Sequence, residues 1–185
     1  MAPKSSDQHL QELFGANFND IQAYCLRRLP AAEAADALSE VFLVAWRRID
    51  EVPSDDASRL WLFTVARNVV RNMERSSRRR LRVIARMGGL AATHHADPES
   101  QVVAAEEHRE MMAAFHGLSS SDQEILRLRL WEELSVTEAA TVLGCGDKAA
   151  SKRYQRALAR LDRASGGSTS QRKVPTLHPE EVSSD

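Results

Sequence analysis

Cysteine is scarce: Cys25 and Cys145 are the only two in 185 residues. They lie far apart, and no CxxC or HxxxC spacing offers a metal site, so buried thiols are expected rather than a redox pair. Aromatic residues make up only 5% of the chain and glycines number 8. With Ala, Leu and Arg abundant, that composition belongs to an all-helical protein. No apolar run approaches the roughly 18 residues of a membrane span. The opening MAPKSSDQHL has no signal-peptide core, so a cytoplasmic chain without membrane insertion is expected. No clustered acid–base constellation or Gly-rich phosphate loop occurs either. No enzyme activity, catalytic residue, metal or cofactor is therefore expected.

Net charge is also nearly absent, at −1, but the balance conceals a strongly uneven distribution. Arg59 to Arg86 carries nine Arg and one Glu, and Lys148 to Arg163 carries six Lys/Arg and one Asp. Acidic residues gather in the first fifty or so positions, around residue 100 and near the C-terminus. Such asymmetry marks a nucleic-acid binder that also offers a surface to a partner of another kind.

The second basic block lies in SVTEAATVLGCGDKAASKRYQRALARLDR, residues 135–163. Ser135 with Glu138 makes a capping box, Ala139, Ala140 and Leu143 give a short apolar face, and Gly144 ends the helix. After Gly146 and Asp147 a second helix buries Ala150, Tyr154, Ala157, Leu158 and Leu161 on one stripe. Lys148, Ser151, Lys152, Gln155 and Arg156 fall largely off that stripe. An amphipathic pair with a solvated basic face would share the charge. The glycine turn and the free polar face instead describe a DNA-reading helix-turn-helix.

Upstream, Leu10, Leu13, Phe14, Ile21, Tyr24 and Cys25 predict a helix over residues 8–29, open to interruption at Asn17 and Asn19–Asp20 and stopped by Pro30. A second helix is expected from Ala32 to Arg48, with Leu38, Val41, Phe42, Ala45 and Ile49 in the core, Trp46 at the edge, and Glu33, Asp36, Ser39, Glu40 and Arg47 exposed. Residues 50–58 read as a loop in which Asp55, Asp56 or Ser58 caps the next helix. That helix buries Leu62, Val65, Ala66, Val69 and Met73 and turns Trp61, Thr64, Asn68, Arg71 and Arg75 another way. The latter set suits reading or stacking on DNA, although partial burial explains Trp61 equally well. Arg78, Arg79, Arg80 and Arg82 extend it as a cluster suited to phosphate contacts. Further on, Asp97-Pro98 opens a helix ending at Gly117, Ser119 or Ser121 caps another, with Ser121 and Glu124 as a second box, and Ile125, Leu126, Leu128, Leu130 and Trp131 supply core. His94 and His95 are expected to be solvent-exposed.

Taken together, SEVFLVAWRRI, RLWLFTVARNVVRNMERSSRRR, DPES, GLSSSDQEILRLRLWEELSVTEAATVLG and SKRYQRALARL resemble an extracytoplasmic-function sigma factor of the sigma-70 family. The resemblance covers about residues 10–164. It implies a helical domain 2 (1–87) that docks on the beta-prime clamp helices of RNA polymerase core and opens the minus-10 element. It also implies a flexible linker (88–97) and a domain 4 (98–164) that reads minus-35 DNA and sits on the beta flap. Residues 165–185 are expected to form a disordered tail. By position, Asp36, Ser39 and Glu40 fall on the core-binding helix, Ser39 standing where the family has Gln and Ala35 where it has an acid. Trp61, Arg67, Asn68, Arg71, Asn72 and Arg75 fall on the minus-10 helix, and the loop from Asp50 to Ser58 on the segment that captures a flipped base. Lys148, Ser151, Lys152, Gln155 and Arg156 fall on the minus-35 helix. There Ala149 replaces a common Thr, and Cys145-Gly146 a common Ile-Ser. Promoter DNA, core polymerase and an anti-sigma factor are the implied partners. The competing reading is a conventional helix-turn-helix regulator with an N-terminal sensor or dimerisation domain. The expected architecture is all-α: two small helical domains on a flexible linker, the second holding the helix-turn-helix.

Overall fold

A computed structural model of the chain describes residues 6–53, 57–86 and 104–166. These residues form α1 (Ser6–Leu26), α2 (Ala31–Arg47), a 3-10 turn (Ile49–Glu51), α3 (Ala57–Arg86), α4 (Ala104–His116), α5 (Ser120–Leu130), α6 (Val136–Leu143) and α7 (Asp147–Ala164). No strand occurs among the described residues. The first three helices make one compact unit and the last four a second. His94, His95, Asp97, Pro98, the expected 88–97 linker and the tail beyond residue 166 lie outside the described residues.

In the first unit α1 runs unbroken through Asn17 and Asn19–Asp20, where the sequence allowed an interruption. Asn17 is buried, and its Nδ2 donates to the Leu13 carbonyl one turn back at 2.9 Å, so its amide is satisfied within the helix. The helix ends at Leu26, ahead of the expected stop. The N–H groups of Arg28 and Leu29 both reach the Cys25 carbonyl, at 3.0 and 2.9 Å. Pro30 then occupies the cap position of α2, where its missing N–H costs nothing.

The core of α2 differs from its expected stripe. Val41, Phe42 and Ala45 are buried as expected, but Ala34 and Ala37 join them. Leu38 is only half-buried, and Ile49 lies half-buried in the 3-10 turn past the helix end. Alanines at the interface let neighbouring backbones approach closely, a role that apolar periodicity in large residues does not reveal. In α3, Leu62, Val65 and Ala66 are buried together with Phe63 and Val70, while Val69 and Met73 are half-buried. Phe63 packs against Tyr24 of α1 with ring centroids 5.5 Å apart. Arg59 lies over Phe63 at 4.9 Å and its Nε donates to Asp20 at 2.7 Å, tying the start of α3 to α1. Ser58 lies inside α3 and so is not its cap; Asp55 and Asp56 are outside the described residues.

The second unit is organised around α5 and α7. Gly117 follows α4, its N–H donating to Ala113 at 3.0 Å. Ser119 caps α5, its hydroxyl accepting from the Asp122 N–H at 3.2 Å. Ser121 is inside the helix, so the expected Ser121–Glu124 box does not form. The Asp122 carboxylate instead turns inward and pairs with Arg160 of α7. Ile125, Leu126 and Leu128 are fully buried with Leu134, Ala139, Ala150 and Ala157, whereas Leu130 and Trp131 are half-buried. Trp131 stands edge-on to the buried Phe115 at 5.3 Å.

Candidate nucleic-acid interface

The α6–α7 turn follows from a few local choices. Ser135 Oγ accepts from the Glu138 N–H at 3.2 Å, and the Glu138 carboxylate accepts from the Ser135 N–H at 2.6 Å, completing the capping box. At the other end Gly144 takes φ 67°, a left-handed conformation open to glycine at little cost. The Cys145 N–H then folds back onto the Ala140 carbonyl at 3.0 Å, closing α6 in a Schellman pattern. Gly146 opens α7, and Thr137 at the start of α6 donates its hydroxyl to Asp147 at 3.1 Å, bracing the two helices across the turn.

Helix α7 buries Ala150, Ala157 and Leu161 and half-buries Tyr154 and Leu158, while Val142 rather than Leu143 completes the buried face of α6. Arg129 of α5 lies over the Tyr154 ring at 5.1 Å and donates to the Leu134 carbonyl, holding α7 against the strand of chain that leads into α6. The opposite side of α7 is free. Lys148, Ser151, Lys152, Gln155 and Arg156 are all exposed. A helix presenting that set can enter the major groove, where Lys and Arg reach guanine and Gln reaches adenine. Cys145 is half-buried in the turn and Cys25 is fully buried.

A second free stripe lies on α3. Asn68, Arg71, Asn72 and Arg75 are exposed on successive turns, with Arg67 half-buried beside them. Trp61, one turn nearer the start, is half-buried, and the Arg48 guanidinium sits 5.8 Å from its ring. Arg48 also donates its Nε to Glu51 at 3.0 Å, so one side chain links the 3-10 turn to α3. That hydrogen bond holds the exposed Glu51 carboxyl below its ordinary value. The hydroxyl of Thr64 is engaged with the Leu60 carbonyl at 2.9 Å. Within the expected loop the structure thus places a buried Val52 next to a short helical turn; residues 54–56 are not described.

On α2, Asp36, Ser39 and Glu40 are exposed on adjacent turns. Ser39 donates its hydroxyl to the Ala35 carbonyl at 3.0 Å, which leaves the two carboxylates as the acceptors that face outward. Three interactions that shape these surfaces were hidden from the sequence: Arg48 over Trp61, Arg129 over Tyr154, and Asp122 with Arg160. Each joins residues whose types are individually unremarkable and whose separation carries no periodic signal.

The chain matches the family model for sigma-70 region 2 over residues 13–80 and that for sigma-70 region 4 over residues 108–161. It is 30% identical over 136 residues to the RNA polymerase sigma factor NccH of Alcaligenes xylosoxydans xylosoxydans, the match covering 72% of this chain and 73% of that one. The chain belongs to the sigma-70 family of RNA polymerase sigma factors. Its relatives include the extracytoplasmic-function factor SigL of Mycobacterium tuberculosis, 31% identical over 133 residues, covering 71% of this chain and 73% of that one. The solved structure of CnrH in complex with the cytosolic domain of CnrY shares the fold, with a TM-score of 0.58, 23% identity, and coverage of 83% of this chain and 85% of that one. A solved complex of the sigma factor RpoE with the anti-sigma factor NepR from Bartonella quintana also gives 0.58, at 22% identity over 85% of this chain and 94% of that one. This sigma factor therefore carries its helix-turn-helix within region 4 and its α3 stripe, as far as Arg80, within region 2. The match to region 2 supports the sigma-factor reading and gives none to a regulator with a sensor domain at its N-terminus. Among the described residues no helix is long and apolar enough to cross a membrane, and no group of His, Cys, Asp and Glu could hold a metal ion.

Proposed function

We propose that this sigma factor brings core RNA polymerase to a two-element promoter and divides the work between its two units. The exposed carboxylates Asp36 and Glu40, with Ser39 between them, dock on the beta-prime clamp helices. The second unit sits on the beta flap. Lys148, Ser151, Lys152, Gln155 and Arg156 on α7 read duplex bases and phosphates at minus-35. Trp61, Arg67, Asn68, Arg71, Asn72 and Arg75 on α3 act at minus-10, where the strands part. The boundaries that suit this division are a domain 2 of residues 1–87, a linker of 88–97 and a domain 4 of 98–164. The factor has no active site of its own, because phosphodiester chemistry belongs to the polymerase, and it works in the cytoplasm. An anti-sigma factor is its expected regulator.

The observation that carries this reading is the presence in one chain of two separate, exposed, cation-bearing helical stripes, one of them inside a capped helix-turn-helix. Unstacking a base costs a few kcal/mol, which stacking and hydrogen bonds in a protein site offset. Two faces allow one unit to hold the duplex while the other bears that cost. Run-off transcription with purified core polymerase and genomic fragments tests the proposal. Promoter-specific transcripts that require the factor are expected. DNA binding to a palindrome without core enzyme, and no transcripts with it, would overturn it.

A further inference from the structure

The outward side of α1 carries a surface that the first unit does not cover. The chain has 5 Phe and 3 Trp, yet Phe14, Phe18, Phe42 and Trp46 gather along one edge of α1 and α2. The Phe14 ring lies 4.8 Å from that of Phe18 and 4.6 Å from that of Phe42. Phe14 is 44% exposed, and Trp46, one turn beyond Phe42, is 56% exposed. Beside them on α1 runs the stripe Gln11, Gly15, Phe18 and Gln22, within about 60° of one another. All four are exposed except Phe18, which is half-buried. A solvated helix face normally carries charge, and this one carries none. Between Gln8 and Leu26 the charged residues are Glu12 and Asp20. Both point about 90° or more from the centre of the stripe. We propose that this face pairs antiparallel with the same face of a second copy of the chain, each Phe18 entering the space beside the partner's Gly15. The dimer adds a protein surface to the contacts proposed above and does not depend on them.

Gly15 points to a close approach from outside. It lies in a helix interior, where glycine is less favourable than alanine. A Cβ built on it would meet nothing within 4 Å, so packing within the chain does not call for the missing side chain. The order of the stripe then selects the occupant. Its steps of four, three and four residues are the heptad spacing with which paired helices interlock. Gln11 and Gln22 are equally distant from a point between Ala16 and Asn17, and so are Gly15 and Phe18. Turned end for end, the stripe therefore sets Phe18 against Gly15 and Gln11 against Gln22. Large meets small, and each carboxamide, donor and acceptor at once, can bond its counterpart. A two-fold contact sets a patch against itself, so charge on it would be repelled by its own copy. The uncharged stripe meets that condition. One helix face is a small interface, so the dimer should exchange with monomer.

The test is sedimentation of the full chain under a thiol reductant, without DNA or polymerase, up to a protein concentration of about 1 mM. The mass should rise from monomer towards dimer. Gly15→Leu fills the space that Phe18 enters and should raise the dimer Kd by about 10-fold or more. Gly15→Ala, studied at a dilution where the chain is monomeric, should resist urea better than the wild type while dimerising less well. Gln11→Glu/Gln22→Lys brings opposite charges together across an antiparallel pair and should keep the dimer. Gln11→Glu/Gln22→Glu brings like charges together and should weaken it by about 10-fold or more. A chain that stays monomeric throughout, or a dimer indifferent to Gly15→Leu, would overturn the proposal. Loss of the dimer in the Glu/Lys variant, as a parallel pair requires, would overturn the antiparallel arrangement. A Gly15→Ala variant less stable than the wild type would overturn the reading of that glycine. None of these outcomes depends on the transcription assay, so failure of the dimer and failure of the sigma-factor reading are told apart.

Discussion

Removing the Arg160 guanidinium should destabilise the second unit more than neutralising its partner Asp122. The Asp122 side chain is 5% exposed and that of Arg160 51%. Truncating Arg160 to Ala strands a carboxylate that water can scarcely reach. Losing a charge-assisted hydrogen bond from a buried group costs about 1.5–3 kcal/mol, and breaking a fully buried pair about 3–5. Because the arginine end is half in solvent, about 2 kcal/mol is expected for Arg160→Ala. Asp122→Asn keeps the shape, removes the charge and releases an arginine that can hydrate, so about 1 kcal/mol is expected. The double variant should then be less destabilised than Arg160→Ala alone, a coupling of about 1–2 kcal/mol. The assay is urea unfolding of the full chain in a Trp46→Phe/Trp61→Phe background. Trp131, packed on Phe115, is then the only one of the three tryptophans left and reports the second unit by itself. That separation matters because two units need not unfold in one step. If the double variant is less stable than Arg160→Ala, the reasoning fails: Asp122 would then be held by something other than Arg160.

Four further outcomes are expected. Lys152→Ala/Arg156→Ala should weaken promoter binding by about 1–3 kcal/mol for each base-reading side chain removed, whereas Asn68→Ala/Arg71→Ala should spare minus-35 binding and reduce permanganate reactivity of unpaired thymines. A promoter already mismatched over the melted region should rescue the second pair and not the first; equal rescue of both would rule out separate reading and melting faces. Glu133 sits at φ 56°, a left-handed conformation that disfavours a side chain, so Glu133→Gly should stabilise the second unit against urea by about 1 kcal/mol at most. Ser135→Ala removes the capping box of α6 and should cost about 1 kcal/mol in the same assay. Finally, Glu51 has a carboxyl pKa lowered from 4.5 by the hydrogen bond from Arg48. Its tie to Arg48 is complete above that pH and lost as pH falls through the lowered value. Trp61 fluorescence, with Trp46 and Trp131 replaced by Phe, should change in that acid range, and Glu51→Gln should abolish the change.

The sequence by itself determined the features whose causes are local. The capping box at Ser135 and Glu138, the left-handed Gly144 and the 3.6-residue spacing of Ala150, Ala157 and Leu161 are set within a few residues of one another. They make α6, α7 and the exposed set from Lys148 to Arg156 legible before any packing is known. The stripe from Asn68 to Arg75 was legible for the same reason. Only the tertiary structure decided where two local solutions competed or where the partner lay far along the chain. Ser119 and Ser121 both suit a cap, and the choice went to Ser119, whose hydroxyl takes only the Asp122 N–H and leaves the Asp122 carboxylate free to meet Arg160. Asn17 can break a helix or serve one, and burial between neighbouring helices made it serve. Alanines 34 and 37 could lie on any face until α1 and α3 closed over them. Phe63 met Tyr24, and Arg59 met Asp20, across 39 positions of chain, a distance over which residue spacing carries no information but packing does.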